Sequence, residues 1–274
     1  MRTIMENLFK NYFLFLCILF LGCEKDDDPT VPTDYPDPKK FEVSEYVEWI
    51  ASAPDEKQVS KFFYDEGGNV ISYEFSSNDD NTTLRVEFEY NNGLLNKSTT
   101  YGIFENEEIK TIETTYFYRE GSNKPHRVHR SKLNILTNTY SEGEIQYEYD
   151  RQGRVKRILD SGSVTEFTYG QNTLTEKLIS DNTLIYEYKL SEYLNPFSGL
   201  PPFFGNIYLF NMHRTVYLTN EWEAREPNKE PASMGSFNFV LDSENRPIRI
   251  EHSLVNSSTP NLPPSLFITE IKYR

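Results

Sequence analysis

Apolar and polar positions alternate along most of this chain after Lys61, and turn residues interrupt the alternation at intervals. The stretch EIQYEYDRQGRVKRILDSG, residues 144–162, shows the pattern on both sides of a Gln-Gly pair. A period of two on each side of a turn glycine is typical of two antiparallel strands joined as a hairpin. Related fragments recur with their tyrosines about 20 to 30 residues apart, which predicts about six or seven hairpin units.

The turn sequence predicts the register of each hairpin. In YEYDRQGRV, a three-residue loop with Gly153 in the left-handed conformation pairs Tyr149 with Val155. The same register sets Glu148 opposite Lys156 on the other face, where opposite charges stabilise a cross-strand pair by about 0.2–1 kcal/mol. The predicted apolar face consists of Ile145, Tyr147, Tyr149, Val155 and Leu159.

Other copies keep the tyrosine and its aliphatic partner although the loop changes length. FFYDEGGNV has the three-residue loop, with Gly68 at the glycine position, whereas FEYNNGLL fits a two-residue type I′ turn at Asn92 and Gly93. FTYGQNTL fits a two-residue turn at Gln171 and Asn172. The predicted pairs are Tyr64 with Val70, Tyr90 with Leu95 and Tyr169 with Leu174.

Two further copies of the pattern are looser, and the first of them, YFYREGSNKPHRV at residues 116–128, has a longer loop. FNFVLDSENRPI places Asn245 where the other loops have glycine and sets Pro247 beside Leu241. Because proline cannot donate a hydrogen bond to a strand ladder, Pro247 indicates a sheet edge or an unpaired position. The final SLFITEIKYR alternates well enough to predict a closing strand.

One helix is predicted before the strands begin. Ser44 fits a helix N-cap and Pro54 ends the run, while Tyr46, Trp49 and Ile50 fall on one face at helical spacing. This helix is expected to cover an open end or edge of the sheet and to bury Trp49. The predicted fold class is therefore all-β, an antiparallel hairpin meander whose twisted sheet curls into a half-barrel or sandwich, with one short N-terminal helix.

The N-terminal residues indicate secretion and lipidation. Arg2 and Lys10 precede the apolar run YFLFLCILFL, which has the layout of a signal peptide and is shorter than the about 20 apolar residues that a spanning helix needs. The ending FLGC resembles a bacterial lipobox, which implies a signal peptide over residues 1–22 and a diacylglycerol on Cys23. The predicted partner is thus the membrane, held through a lipid anchor on Cys23.

A tether is predicted between the anchor and the folded part. Residues 23–40 are acidic and contain four prolines, and such a segment can extend on the order of 50 Å in the polyproline II conformation. Its start, CEKDDD, resembles the acidic export signal that brings Bacteroidetes lipoproteins to the cell surface, although a plain solvated charge run is the alternative. The expected location is the outer membrane, lipid-anchored and exposed at the cell surface, with residues 41–274 as a single β-repeat domain.

Composition narrows the range of functions. A formal net charge of −14 argues against a nucleic-acid partner, because phosphate binding requires clustered Lys and Arg. Both cysteines, Cys17 and Cys23, lie before the predicted folded domain, so a disulfide framework is excluded for that domain. An aromatic share of 15% favours strands.

The motif aromatic-x-Tyr-Asp-x-x-Gly-Arg at residues 147–154 resembles the YD (RHS) repeat. Combined with the lipobox and with NPF at residues 195–197 after a YEY strand, the arrangement is similar to the YD-repeat-like lipoproteins of unknown function in Bacteroidetes. The resemblance covers about residues 61–274 and implies a repetitive β fold without implying an activity. In large RHS proteins such repeats build a shell around a toxin, but this chain has too few repeats to enclose one.

No catalytic or metal-binding arrangement stands out in the sequence. His126 and His129 fall on opposite faces of a strand, and there is no zinc spacing, phosphate loop or Gly-x-Ser-x-Gly elbow. A carboxylate pair for glycoside hydrolysis is conceivable, but the alternation predicts that the strand glutamates face solvent. The strand glutamates predicted to face solvent are Glu87, Glu89, Glu148 and Glu187. We therefore predict no catalytic residue, no metal and no cofactor.

One stretch breaks the repeat pattern. Residues 191–214, SEYLNPFSGLPPFFGNIYLFNMHR, carry far more apolar surface than a loop should expose. Either this segment folds back onto the open face of the sheet, or it lines an aromatic site for a glycan or protein ligand. The candidate ligand-binding residues are Tyr193, Phe203, Phe204, Tyr208 and Trp222.

Three functional hypotheses follow from these features. The leading one is a cell-surface, non-enzymatic binding or structural lipoprotein. The second is a glycan-acting surface enzyme, which predicts a pair of inward-facing carboxylates in a cleft beside residues 191–222. The third is a structural lipoprotein that faces the periplasm, which requires the acidic segment after Cys23 to be inert as an export signal.

Overall fold

A computed structural model describes residues 41–78, 83–104, 107–135, 137–179, 183–198, 217–227, 229–256 and 263–274. Within these ranges sixteen strands follow one another around a closed antiparallel barrel. In chain order they are β1 Val43–Ile50, β2 Ala53–Tyr64, β3 Val70–Ser77, β4 Thr83–Asn91, β5 Leu94–Phe104, β6 Glu107–Tyr118, β7 Pro125–Asn134, β8 Thr139–Tyr149, β9 Val155–Asp160, β10 Ser163–Tyr169, β11 Thr173–Ile179, β12 Leu184–Leu194, β13 Tyr217–Arg225, β14 Ser233–Leu241, β15 Pro247–Asn256 and β16 Ser265–Tyr273.

The sheet closes because its last strand pairs with its first. β16 runs antiparallel to β1, with Tyr273 opposite Val43. The all-β antiparallel meander is confirmed, but the predicted half-barrel or sandwich is wrong, because the β1–β16 pairing leaves no free edge among the described strands. Pro247, which was predicted to mark an edge or an unpaired position, begins β15 and lies opposite Leu241 beside a β-bulge.

The predicted N-terminal helix is also wrong. Its residues form β1, which pairs with β16 on one side and β2 on the other, and these ladder hydrogen bonds override the local helical spacing. Tyr46 points into the barrel and is 1% exposed. Trp49 is half-buried on the outer face, with Lys57 Nζ 5.0 Å from its ring centre. The described part of the chain contains no helix long and apolar enough to cross a membrane.

The cross-strand pairs predicted directly beside the turns are confirmed. Gly68, Gly93 and Gly153 have φ values of 77°, 77° and 74°, in the left-handed region that their turns require. Asn245 takes the glycine position of the β14–β15 turn with φ of 58°. The tyrosines lie opposite their predicted partners: Tyr64 with Val70, Tyr90 with Leu95, Tyr149 with Val155 and Tyr169 with Leu174.

A β-bulge follows most of these turns, and it was not predicted. In the β8–β9 hairpin Glu148 lies opposite Arg157 instead of Lys156, so Lys156 is an extra residue. An extra residue inverts the faces of the residues that follow it. Ile158 therefore packs against the core, and Leu159, predicted on the inner face, takes the outer one. The register also shifts by a β-bulge next to Tyr64, Tyr90, Tyr118 and Leu241.

The inner face of the barrel wall carries the apolar core, and many outer positions carry charged side chains. Val128 and Phe197 have no exposed surface, and the ring of Phe197 lies 5.7 Å from that of Tyr46. Val128 lies opposite Tyr116 and Ile145, and all three belong to the core cluster that marks the inner face. Outward positions carry ion pairs: Arg85 with Glu108 at 2.7 Å, Lys97 with Glu113 at 2.9 Å, Arg157 with Glu166 at 2.8 Å and Arg249 with Glu270 at 3.3 Å.

A ladder of tyrosine hydroxyls connects neighbouring hairpins at the end of the barrel where the repeat turns lie, here called the tyrosine rim. Tyr149 Oη donates to the carbonyl oxygen of Pro125 at 2.7 Å, and burial raises the pKa of Tyr149. In each rung, the accepting carbonyl belongs to the residue that lies opposite the equivalent position of the preceding hairpin. Pro125, for example, lies opposite Tyr118. The described residues contain five more rungs: Tyr64 to Val43, Tyr90 to Val70, Tyr118 to Leu95, Tyr169 to Val155 and Tyr273 to Pro247, all at 2.7–2.9 Å.

The closing pair of strands repeats the geometry of a hairpin end. The N–H of Arg274 donates to the carbonyl oxygen of Glu42 at 2.9 Å, as the N–H of Asp150 donates to that of Arg154 at 2.9 Å across a covalent turn. The tyrosine of β16 therefore finds its aliphatic partner on β1. The ladder passes through this closing pair because the carbonyl of Val43 accepts the rung from Tyr64.

Tyr149→Phe tests the hydroxyl ladder. The ring is retained, but the carbonyl of Pro125 loses its hydroxyl donor, so we expect the free energy of unfolding to fall by about 1 kcal/mol. Equilibrium urea denaturation measures the change. Tyr140→Phe is the matched control, because Tyr140 is 54% exposed. Equal losses in the two variants would show that the rung contributes nothing.

Candidate functional site

The structure describes two of the five aromatic residues that were predicted to line a ligand site. Tyr193 lies in β12 and Trp222 in β13, and both pack against the core from the inner face. Phe197, from the described part of the segment 191–214, is buried among core residues. Outside the described residues lie Phe203, Phe204, Tyr208 and Cys23, together with the signal peptide and the tether, and these assignments stay predictions.

Tyr193 and Trp222 belong to one inner aromatic wall. The rings of Tyr193 and Phe239 are 5.7 Å apart and nearly perpendicular. Two residues earlier on β14, Phe237 stacks on His252 at 4.3 Å, and Trp222 lies 6.1 Å from the same imidazole. Trp222 and His252 are half-buried, in contrast to fully buried inward residues of β2–β8. The two described candidates therefore share a surface that runs across β12–β15.

Gly235 makes room for a hydrogen bond between Trp222 and His252. The indole Nε1–H donates to His252 Nε2 at 3.1 Å, so the imidazole proton lies on Nδ1. A Cβ atom on Gly235 would overlap Trp222 Nε1 and lie 2.6 Å from His252 Nε2. Burial lowers the pKa of His252 to about 4, so the ring is neutral at neutral pH.

Protonation of His252 is expected to destabilise the barrel in acid. Histidine in an unfolded chain titrates near 6.5, so between about pH 6.5 and pH 4 the unfolded state binds more protons than the folded state. This stabilisation is complete above that interval and is lost as the pH falls through it, by about 1–3 kcal/mol in total. Urea denaturation from about pH 7.5 to about pH 4 measures the loss.

His252→Gln isolates this contribution. Glutamine still offers an acceptor to Trp222 but cannot be protonated in this range, so the variant should lose part of the pH dependence. The control is Val240→Gln on the outer face, where Val240 is 49% exposed, and because it removes no titratable group it should leave the slope unchanged. A His252→Gln profile that parallels the wild-type profile would contradict the assignment.

A groove of about 680 Å³ crosses the outer face of β11–β15 directly behind this wall. The floor of the groove is the strand backbone at Tyr188, Trp222 and Gly235. The side chains of Tyr188 and Trp222 point to the inner face, and Gly235 has no side chain. Two cross-strand rows form its sides. One row is Thr175, Glu187, Glu223, Met234 and Val255, and the other is Thr173, Lys189, Glu221, Ser236 and Ser253.

Three carboxylates and one ammonium group occupy the middle of the groove. Lys189 Nζ lies 2.7 Å from Glu221 Oε2. Glu187 lies opposite Glu223, and Arg225 at the border of the groove bonds Glu187 at 2.5 Å and approaches Glu223 at 3.7 Å. The bond to Glu187 raises the pKa of Arg225. The groove lining itself carries more negative than positive charge.

The groove carboxylates point away from the barrel interior, whereas the enzyme hypothesis predicts an inward pair beside residues 191–222. Glu187 is on the outer face, as predicted. Among inward carboxylates, Glu176 accepts a hydrogen bond from Tyr188 Oη at 3.1 Å. Glu48 accepts one from Thr269 Oγ1 at 3.3 Å, and burial raises the pKa of Glu48. No group of three or more His, Cys, Asp or Glu side chains within the described ranges is placed to hold a metal ion.

Sequence reasoning missed both the groove and the Trp222–His252 pair. The groove depends on the alignment of five strands, whereas the turn sequences predict only the pairs beside each turn. One usable signal was Gly235 inside the alternating run SMGSFNFVL, because a glycine within a strand often marks a close approach of another group.

Comparison with solved structures finds a similar fold in a protein from Bacteroides. Comparison with family models and with curated proteins finds no match. A solved structure described as a porin-like protein from Bacteroides uniformis ATCC 8492 is 10% identical, with a TM-score of 0.59 over 85% of this chain and 96% of that chain. Another porin-like protein, from Bacteroides vulgatus ATCC 8482, is 16% identical, with a TM-score of 0.42 over 85% and 99%. The first likeness shows that this chain shares the fold of a Bacteroides porin-like protein.

Proposed function

We propose that the protein is an outer-membrane lipoprotein anchored through Cys23, whose barrel stands in water at the cell surface and binds a ligand without catalysing a reaction. We also propose that it belongs to the YD-repeat-like lipoproteins that its sequence resembles. The observation that carries the proposal is the polarity of the barrel wall.

A barrel that spans a membrane turns an apolar band toward lipid and polar side chains toward its lumen. This wall has the reverse pattern. Outward ion pairs such as Arg157 with Glu166 would face lipid, where an Arg or Lys at the midplane costs about 2–4 kcal/mol. Its inward positions instead hold Val128 and Ile250, which are 0% and 1% exposed. Water around the outer face therefore suits this wall better than lipid.

The start of the barrel supports a tethered arrangement. β1 begins at Val43 on the tyrosine rim, directly after the predicted tether of residues 23–40. A lipid on Cys23 would therefore connect to the tyrosine rim. The opposite rim, which includes the turns at residues 51–52 and 161–162, would be the end farther from the attachment point.

The tyrosine ladder supports the proposed family. The motif tyrosine makes the same bond in successive repeats, as in Tyr118 to Leu95 and Tyr149 to Pro125. A residue that links each repeat to the one before it explains why the Tyr position persists when the loop length changes.

Lipidation and surface exposure can be tested in cells. A palmitate analogue should label the full chain, and Cys23→Ala should abolish the label. Protease added to intact cells should degrade the barrel if it stands at the surface. If the Cys23→Ala variant were still labelled, the anchor at Cys23 would be wrong. If the protease degraded the barrel only after the cells were lysed, the periplasm-facing alternative would be favoured.

The non-enzymatic part of the proposal has its own test. Glycan and peptide arrays probed with the purified protein should give binding without change to the bound probe. Hydrolysis of an array glycan that disappears with a single carboxylate substitution, such as Glu187→Gln, would instead establish the glycan-acting enzyme.

A further inference from the structure

We infer that the groove on β11–β15 binds an extended cationic peptide segment, with a Lys or Arg side chain over the central carboxylates and an aliphatic side chain against Met234 and Val255. The inference rests on the proposed binding function and names its ligand class.

The dimensions suit a short extended chain. Adjacent strands lie about 4.8 Å apart, so the four intervals between β11 and β15 give a groove about 19 Å long. An extended peptide advances about 3.3 Å per residue. The groove therefore has room for about six residues laid across the strands.

The charges select a cation. Glu187 and Glu223 face each other across β12 and β13, and like charges directly opposite destabilise a strand pair. Arg225 pairs with Glu187 at 2.5 Å and with Glu223 at 3.7 Å, and Lys189 pairs with Glu221, so three carboxylates share two cations. A ligand cation between the two rows would balance the remaining negative charge. The net charge of −14 would also attract such a ligand from solution.

The apolar end fixes where the aliphatic side chain would lie. Met234 is 42% exposed and sits opposite Val255, so the two form an uncovered apolar surface. Met234 is also opposite Glu223, one strand spacing from the central carboxylates. A peptide with a basic residue and an aliphatic residue close together in sequence would fit both parts.

The lining is less suited to a neutral glycan. The nearest aromatic residues of the groove, Tyr188 and Trp222, turn their rings to the inner face, and the lining on the outer face contains no aromatic ring. A sugar ring would therefore find hydrogen-bond partners but no aromatic surface on which to stack. Anionic ligands would meet three carboxylates.

Fluorescence anisotropy with the full mature protein in a mild non-ionic detergent tests the inference. The probe is a fluorescein-labelled hexapeptide of alternating lysine and leucine, compared with peptides in which glutamate or serine replaces lysine. We expect saturable binding of the lysine peptide only. Glu187→Gln together with Glu223→Gln should weaken it about tenfold, as expected if each partly exposed charge contributes up to about 1 kcal/mol.

The matched control is Glu142→Gln together with Glu144→Gln, two outward carboxylates on β8, and it should leave the affinity unchanged. An equal loss in both double variants would show attraction to net charge alone and overturn the inference. Binding of the serine peptide as tightly as the lysine peptide, or no binding at all, would overturn it as well. The proposed function would still stand after such a result if Cys23 were lipidated or if the protein bound a glycan.

Discussion

Ile250→Asp is expected to prevent the barrel from folding. Ile250 is 1% exposed on the inner face of β15, so the variant places an unpaired carboxylate among apolar side chains. Losing the apolar burial and desolvating the charge should together cost more than about 4 kcal/mol, a large share of the stability of a typical domain. Circular dichroism and size-exclusion chromatography should show loss of the native β signal and of the monodisperse peak.

Ile248→Asp is the matched control two residues earlier on the same strand. Ile248 is the extra residue of the bulge after the β14–β15 turn and is 37% exposed. The aspartate there should change the free energy of unfolding by no more than about 0.5 kcal/mol. Because the residue type and the substitution are identical, the difference between the variants reports which face is buried. A tolerated Ile250→Asp beside a damaging Ile248→Asp would mean that the apolar face is the outer one.

Gly235→Val should cost the fold about 2–4 kcal/mol by forcing Trp222 and His252 apart. The new Cβ overlaps the indole nitrogen, and strand pairing on both sides of β14 prevents the backbone from moving away. Urea denaturation measures the loss. The emission of Trp222 should also shift to longer wavelength, and a Trp49→Phe background removes the other tryptophan of the chain.

Gly143→Val is the control for this change. Gly143 lies within β8, and the nearest atom to its Cβ position is Ser161 Oγ at 3.9 Å. Valine suits a strand better than glycine, so the control should be neutral or slightly stabilising. If both variants were equally stable, the close approach at Gly235 would have no energetic consequence.

The local parts of the fold could be predicted from sequence, and the global closure could not. Turn glycines such as Gly153 fixed the cross-strand pairs, because φ above zero is costly for other residues. Whether β16 pairs with β1 depends on contacts more than two hundred positions apart, for which alternation gives no signal. The run around Tyr46 fits helical spacing as well as strand alternation, and only pairing on both sides decides between them.

The bulges had the largest consequence for the faces of the strands. One extra residue after a turn moves every later side chain to the opposite face, so Leu159 was assigned to the wrong side while Tyr149 was assigned correctly. The same effect limits prediction of the site. Trp222 was a candidate from its residue type, but its contact with His252 and the alignment of Glu187 with Glu223 require the registers of β12–β15.

The outer face of this barrel carries ion pairs and its inner face carries the apolar core, and solubility of the folded chain tests most directly the proposal that the outer face meets water. Residues 24–274, produced without the signal peptide and without Cys23, should purify in buffer without detergent. Light scattering should give a single species of defined mass, and circular dichroism should show a β spectrum that is lost cooperatively in urea. A chain that folds only in detergent or inserts into lipid vesicles would contradict the claim.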